Sequence, residues 1–212
     1  IPLIINMSLT NEYTIEKAKK TDATQASKLM NLAFDDLSHI LFGTKDLNKI
    51  ESYFAKLWIQ DDDRLSSRYS HVIRENGKAI GLISCSEGDL TTKLIWPSFI
   101  EFLKVDPGII FFALKHLNYL YSIFTVREAF EDEYYIFVLA VMPEYQGKGI
   151  GGKLIQFAEE TAKRKGFKKV SLLVNANNLN AIEFYENHGF KKVELINKAP
   201  LNNYRMVKEL LV

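Results

Sequence analysis

The chain has 212 residues, of which 47% are hydrophobic and 25% charged, and its formal net charge is +1. That length supports one well-filled core and is short for two full domains, and so balanced a charge does not suit a chain built to neutralise nucleic-acid phosphates. A lone cysteine, Cys85, excludes an internal disulfide and a Cys/His zinc cluster, and no apolar run reaches the ~18–20 residues that span a bilayer. The expectation is one domain over residues 1–212 in a reducing, cytoplasmic setting, with no metal, no nucleic-acid partner and no membrane partner. A possible homodimer is left open. Residues 1–12 read as a tail outside the core, with Met7 as the natural start and 1–6 as extra sequence.

Residues 13–19 alternate weakly and read as a first strand. Thr21 or Asp22 can cap a helix carrying Ala26, Leu29, Met30, Ala33, Phe34 and Leu37 on one face. Leu47, Ile50, Tyr53, Phe54, Leu57 and Trp58 repeat at helical spacing, and Asp61, Asp62 and Asp63 read as a solvated turn that ends this second helix. Asn76-Gly77 between the β-rich runs 69–75 and 78–86 is a strong hairpin signal. Residues 89–131 read as a helical insertion between strands 3 and 4, rich in aromatics, with Pro97 and Pro107 placed to begin short helices.

The second half alternates regularly. Residues 134–142 form an apolar, β-branched and aromatic run, read as a buried strand. Residues 149–165 form a helix with Ile150, Leu154, Ile155, Phe157, Ala158 and Ala162 inward, closed by Gly166. A strand at 169–174, a short helix at 180–187 closed by Gly189, and strands at 190–195 and 204–210 follow. This succession demands layered α/β packing.

The most informative stretch joins the 134–142 strand to its helix: Pro143-Glu144-Tyr145-Gln146-Gly147-Lys148-Gly149-Ile150-Gly151. Glycines let backbone approach a ligand closely and adopt φ > 0. The first amides of a helix lack internal partners and sit at the positive end of its dipole, which suits a pyrophosphate. Lys148 adds a cation. The same glycines would equally serve a tight strand-to-helix turn. A Walker loop is excluded because Gly149 follows Lys148. A Rossmann fingerprint is disfavoured because the next strand ends in Val174-Asn175, without an acid.

Further on come Asn178, Ala181, Phe184-Tyr185 and Gly189-Phe190. Gln146-Gly-Lys-Gly-Ile-Gly151 followed by this segment resembles the GNAT superfamily of N-acetyltransferases. The resemblance is firm over residues 134–190, weaker over 13–86 and absent over 90–130. It implies a mixed, mostly antiparallel α/β sheet of about seven strands flanked by helices. It also implies acetyl-CoA (coenzyme A) as cofactor and direct transfer, in a ternary complex, to a primary amine of a small molecule or peptide. Residues 146–151 (Gln146, Gly147, Lys148, Gly149, Ile150, Gly151) would hold the pyrophosphate. Leu139 and Val141 would offer backbone groups to the pantetheine arm, and the Val141 amide would meet the carbonyl oxygen. Asn178 would contact the cofactor, and Tyr185 would be the general acid. Relatives often carry a carboxylate on the strand before the loop, but Ile136, Phe137, Val138 and Leu139 are apolar here. Glu133 acting through a water is the candidate base, and a backbone route or no base are the alternatives.

Other residues carry less. Asn180 reads as a helix cap. His39, His71, His116 and His188 read as structural, although His116 could face a substrate. Cys85 reads as a buried small hydrophobe. Lys163, Arg164, Lys165, Lys168 and Lys169 fit either a guide for the cofactor's 3′-phosphate or a solvated helix end. Glu128, Glu131, Asp132 and Glu133 fit either an attraction for a cationic amine or a soluble loop. A non-catalytic acyl-CoA sensor and transfer to a hydroxyl are the rival functions.

Overall fold

The computed structural model describes residues 13–108, 114, 117–199 and 201–211. The expectations for residues 1–12, the helical pattern at 109–113 and His116 lie outside them. Seven strands form one sheet in the order β1-β2-β3-β4-β5-β7-β6. They are β1 (Ile15–Lys17), β2 (Ser70–Glu75), β3 (Lys78–Glu87), β4 (Glu133–Val141), β5 (Lys169–Asn175), β6 (Lys191–Lys198) and β7 (Leu201–Glu209). All neighbours pair antiparallel except β4 and β5, which run parallel.

The β2–β3 hairpin turns at Asn76 and Gly77, both at positive φ (50° and 77°), as two-residue hairpins require. The helix expected to run as far as Leu37 is two helices, α1 (Ala23–Phe34) and α2 (Asp36–Phe42). The chain breaks at Asp35, whose φ of 46° no α-helix accommodates. Helix α3 (Leu47–Trp58) begins at Asp46, whose side chain accepts the N–H groups of Asn48 and Lys49. Its Ile50, Phe54, Leu57 and Trp58 bury one face against α1 and the sheet, where Val72, Leu82, Val138 and Ala140 meet them.

Between β3 and β4 come α4 (Gly88–Lys93), α5 (Ile95–Val105) and α6 (Leu117–Thr125). The other face of the sheet carries α7 (Ile150–Arg164) and α8 (Leu179–Asn187). Ile150, Leu154, Ile155, Ala158 and Ala162 of α7 pack there on Ile83, Ile136, Val170 and Leu172. Cys85 is buried in this layer, and burial pushes its thiol pKa up. Among the described residues no helix is long and apolar enough to cross a membrane.

Asp63 corrects the expected solvated turn, because it is fully buried. Its Oδ1 accepts the Leu65 N–H at 2.6 Å, whereas Oδ2 has no partner among the described residues. Burial pushes its pKa up to about 6. His71 packs on Phe157 with ring centroids 4.5 Å apart, and burial, with Lys17 nearby, pushes its pKa down to about 4. A carboxyl held above its unfolded value of about 3.9 binds more protons when folded, so its contribution to stability falls as pH rises from about 4 to 6. An imidazole held below its unfolded value of about 6.5 loses stability as pH falls through the same window. The two groups therefore oppose each other. Asp63→Asn removes the first and should raise stability at pH 7 by roughly 2–3 kcal/mol. Urea unfolding of the variant should then show a midpoint that drops more steeply between pH 6.5 and 4 than that of the unaltered protein.

Candidate active site

The site is built on a defect in β4. Ser84 of β3 pairs with Val138, but the next residue, Cys85, pairs with Ile136, which leaves Phe137 as an extra residue in β4. Such a bulge bends its strand and ends regular pairing. The parallel β4–β5 ladder runs only from Glu133↔Lys169 to Ile136↔Leu172, after which β5 pairs with β7 alone. From Phe137 onward the two strands are separated by a gap.

The β3 register shows which groups line that gap. The Met142 N–H donates to the Ile80 carbonyl at 2.9 Å. Alternation along an antiparallel pair then turns the backbone groups of Val138 and Ala140 toward β3, and those of Leu139 and Val141 toward the gap. The Val141 carbonyl accepts the Gln146 side-chain amide at 3.1 Å, which ties the following loop to the strand end.

Residues 146–149 are exposed at the mouth of the gap. The N–H groups of residues 147–152 find no backbone acceptor among the described residues. Gly147 and Gly149 sit at φ 75° and 78°, and a Cβ on either would meet nothing within 4 Å. Their role is therefore conformational, turning successive amides outward into an anion-binding concavity at the start of α7. Gly151 has a packing role as well. A Cβ there would lie 2.9 Å from the Phe184 ring, and one on Gly152 would lie 2.9 Å from His188 Nε2. These two residues let α8 lie tight against the first turn of α7. Lys148 Nζ rests 4.7 Å from the centre of the Tyr145 ring.

Helix α8 carries Tyr185, which packs against the α7/α8 core. Its ring packs edge-on against Phe184 and Phe190, at 5.4 and 5.8 Å between centroids. Its hydroxyl has no hydrogen-bond partner among the described residues, and burial pushes its pKa up to about 12, so it holds its proton at neutral pH. Asn178, not Asn180, is the N-cap of α8; its Oδ1 accepts the Ala181 N–H at 3.0 Å, and Asn180 lies within the helix. His188 stacks on Phe184 and His39 bonds the Thr44 carbonyl, both in structural settings.

Glu133 is not brought to the loop. It begins β4, is 3% exposed, pairs with the buried Arg205 and accepts the Phe130 N–H at 3.1 Å. Val141, at the other end of the strand, is roughly 25 Å away at about 3.3 Å per residue. The expectation of a base at Glu133 is corrected accordingly, because its carboxylate is committed to a buried cation. Lys165 follows the last turn of α7 and Lys169 opens β5, and they pair with Glu87 and Asp132. The structure also shows a pair the sequence did not single out: Arg64 binds Glu128 at 3.0 and 3.1 Å.

The β4–β5 ladder that stops at Ile136↔Leu172 and the unbonded amides at the start of α7 fit the acyltransferase class that the sequence resemblance implies. Residues 29–190 match the Acetyltransferase (GNAT) family, and the chain belongs to that family. It is 29% identical over 203 residues to an uncharacterised N-acetyltransferase of Methanocaldococcus jannaschii, covering 96% of this chain and 70% of the relative. It is 32% identical over 72 residues to the ribosomal protein bS18-alanine N-acetyltransferase of Escherichia coli, covering 34% of this chain and 49% of that one. The fold matches the PaiA N-acetyltransferase of Thermoplasma acidophilum, solved in complex with coenzyme A, with a TM-score of 0.53 and 17% identity over 93% of this chain and 98% of that one. The protein is an acetyltransferase that uses acetyl-CoA.

The two kinds of glycine predict two kinds of defect. Gly149→Ala should fold, at a cost of about 1 kcal/mol for the left-handed backbone, and should reduce the rise in melting temperature that coenzyme A produces. Gly151→Val should instead lower the melting temperature of the ligand-free protein by several degrees through its collision with Phe184. Differential scanning fluorimetry with and without coenzyme A separates the two.

Proposed function

We propose that the protein transfers the acetyl group of acetyl-CoA directly to a primary amine of a small molecule or peptide, within a ternary complex. The observation that carries this reading is the gap between β4 and β5, with the Leu139 and Val141 backbone turned into it; the Tyr185 phenol would stand beside it. The outward amides of residues 147–152 and Lys148 would hold the pyrophosphate. Leu139 would bond the pantetheine arm, and the side-chain amide of Asn178 would approach it from α8. The cofactor supplies a thioester carbonyl open to attack by a neutral amine.

The chain's own groups meet the remaining needs. The Val141 N–H would stabilise the charge that develops on the carbonyl oxygen; one such donor is typically worth ~10²–10³ in rate. Tyr185, protonated up to a pKa of about 12, would give its proton to the departing sulfur. The acetyltransferase relative from E. coli acts on an alanine of a ribosomal protein. That favours including peptide N-termini among the acceptors.

The test is an acetyl-CoA-dependent assay across polyamines, aminoglycosides, amino acids and peptide N-termini. Turnover with one class is expected, and Tyr185→Phe should lower kcat by about 10²-fold while coenzyme A still raises the melting temperature. Unchanged kcat in that variant would remove Tyr185 from the reaction. Coenzyme A binding with no turnover on any amine would defeat the proposal as a whole.

A further inference from the structure

Several surface lysines of this protein meet carboxylates. Lys93 pairs with Asp89, Lys104 with Glu101, Lys165 with Glu87, Lys192 with Glu186 and Lys208 with Glu159. The two lysines at the start of α7 are held differently. Lys148 lies over the Tyr145 ring, with Nζ 4.7 Å from its centre, and Lys153 lies over the Tyr13 ring at 5.8 Å. Neither lysine forms an ion pair among the described residues. An aromatic face attracts an ammonium through its quadrupole but carries no net charge. A lysine seated there keeps its full charge for an anionic ligand.

Lys148 nevertheless has an acid nearby. Glu75 closes β2, and its carboxylate accepts the Tyr145 hydroxyl. One ring therefore carries a carboxylate at its hydroxyl end and an ammonium on its face. The opposite charges are neighbours that do not pair. Tyr145 itself is fixed in place. It ends the short turn Pro143–Tyr145, its N–H donates to the Met142 carbonyl at 2.9 Å, and its ring packs against the α7/α8 core. On the other side of the turn, the Gln146 side chain is tied to the Val141 carbonyl. An ion pair between Glu75 and Lys148 would work against a bound phosphate, because it would have to break before the lysine could make the new charge-assisted bond.

We infer that Tyr145 is a spacer that keeps Glu75 from Lys148 and so holds the lysine free for the diphosphate of coenzyme A. This rests on the reading above that residues 146–151 hold that diphosphate. The phenol satisfies Glu75 with a hydrogen bond and gives Lys148 an uncharged seat. Tyr145 and Glu75 act through Lys148 and are positioning residues.

The test is the dissociation constant of coenzyme A, measured by isothermal titration calorimetry. Tyr145→Phe keeps the ring and removes the hydroxyl, which releases Glu75 to pair with Lys148. The dissociation constant should rise about tenfold, the scale of one charge-assisted contact. Adding Glu75→Gln to that variant removes the competing charge, and binding should return to within about threefold of the unaltered protein. In a Lys148→Ala background, Tyr145→Phe should cause no further loss. Dephospho-coenzyme A, which lacks only the 3′-phosphate, should show the same loss and the same rescue. No loss in Tyr145→Phe overturns the spacer. A loss that Glu75→Gln does not rescue also overturns it, since a hydroxyl that only supported the fold would behave that way. A loss confined to coenzyme A and absent with the dephospho form would place the effect at the 3′-phosphate and overturn it too. If Lys148→Ala and Gly149→Ala both bind coenzyme A as tightly as the unaltered protein, the diphosphate reading itself fails and the spacer fails with it.

Discussion

One extra residue in β4 shapes the centre of this molecule. Two parallel strands that stayed in register would satisfy each other's amides and carbonyls along their full length and leave no room between them. Phe137 breaks the register with β3, and the β4–β5 ladder stops one residue earlier. The separation turns part of a buried sheet into a slot lined by backbone hydrogen-bonding groups. Buried amides without partners are costly, and the sheet tolerates these because the slot opens at the exposed loop of residues 146–149. The Gln146 side chain, bonded to the Val141 carbonyl, keeps strand end and loop together.

The bulge also changes which way side chains face. Tyr134 and Ile136 before it share the α7/α8 core with Leu139 and Val141 after it, whereas Val138 and Ala140 join the α1/α3 core. Charged groups are kept paired in the layer beside the β4–β5 ladder, Arg64 with Glu128 and Arg205 with Glu133. Removing one partner of a buried pair strands the other at a typical cost of 3–5 kcal/mol, so this layer is fixed in place as well as polar.

Much of the fold was legible because it rests on local rules. The Asn76-Gly77 turn, the inward stripe of α7, the left-handed Gly149 before it and Gly166 after it all follow from period, propensity and backbone freedom. The break at Asp35 was not legible, since α1 and α2 both carry helical spacing and the turn between them lacks glycine and proline. Asp63 misled for a related reason. Three successive aspartates read as solvent-facing, yet the third folds under the chain to accept the Leu65 N–H. Asn178 and Asn180 were interchanged because either asparagine could cap α8 by residue type, and only the direction of the chain entering the helix selects one.

Residue type and spacing along the chain were enough to place a glycine-rich turn at the start of α7 and the segment that follows it. Glycine spacing and helix-start amides are properties of contiguous residues, and so is the run from Asn178 to Phe190. Tertiary structure alone decided the register between distant strands. That register made Phe137 a bulge, turned the Leu139 and Val141 backbone into a gap and set Glu133 against Arg205. These relations join residues far apart in the chain, and shifting one strand by a single residue would reverse every face they depend on.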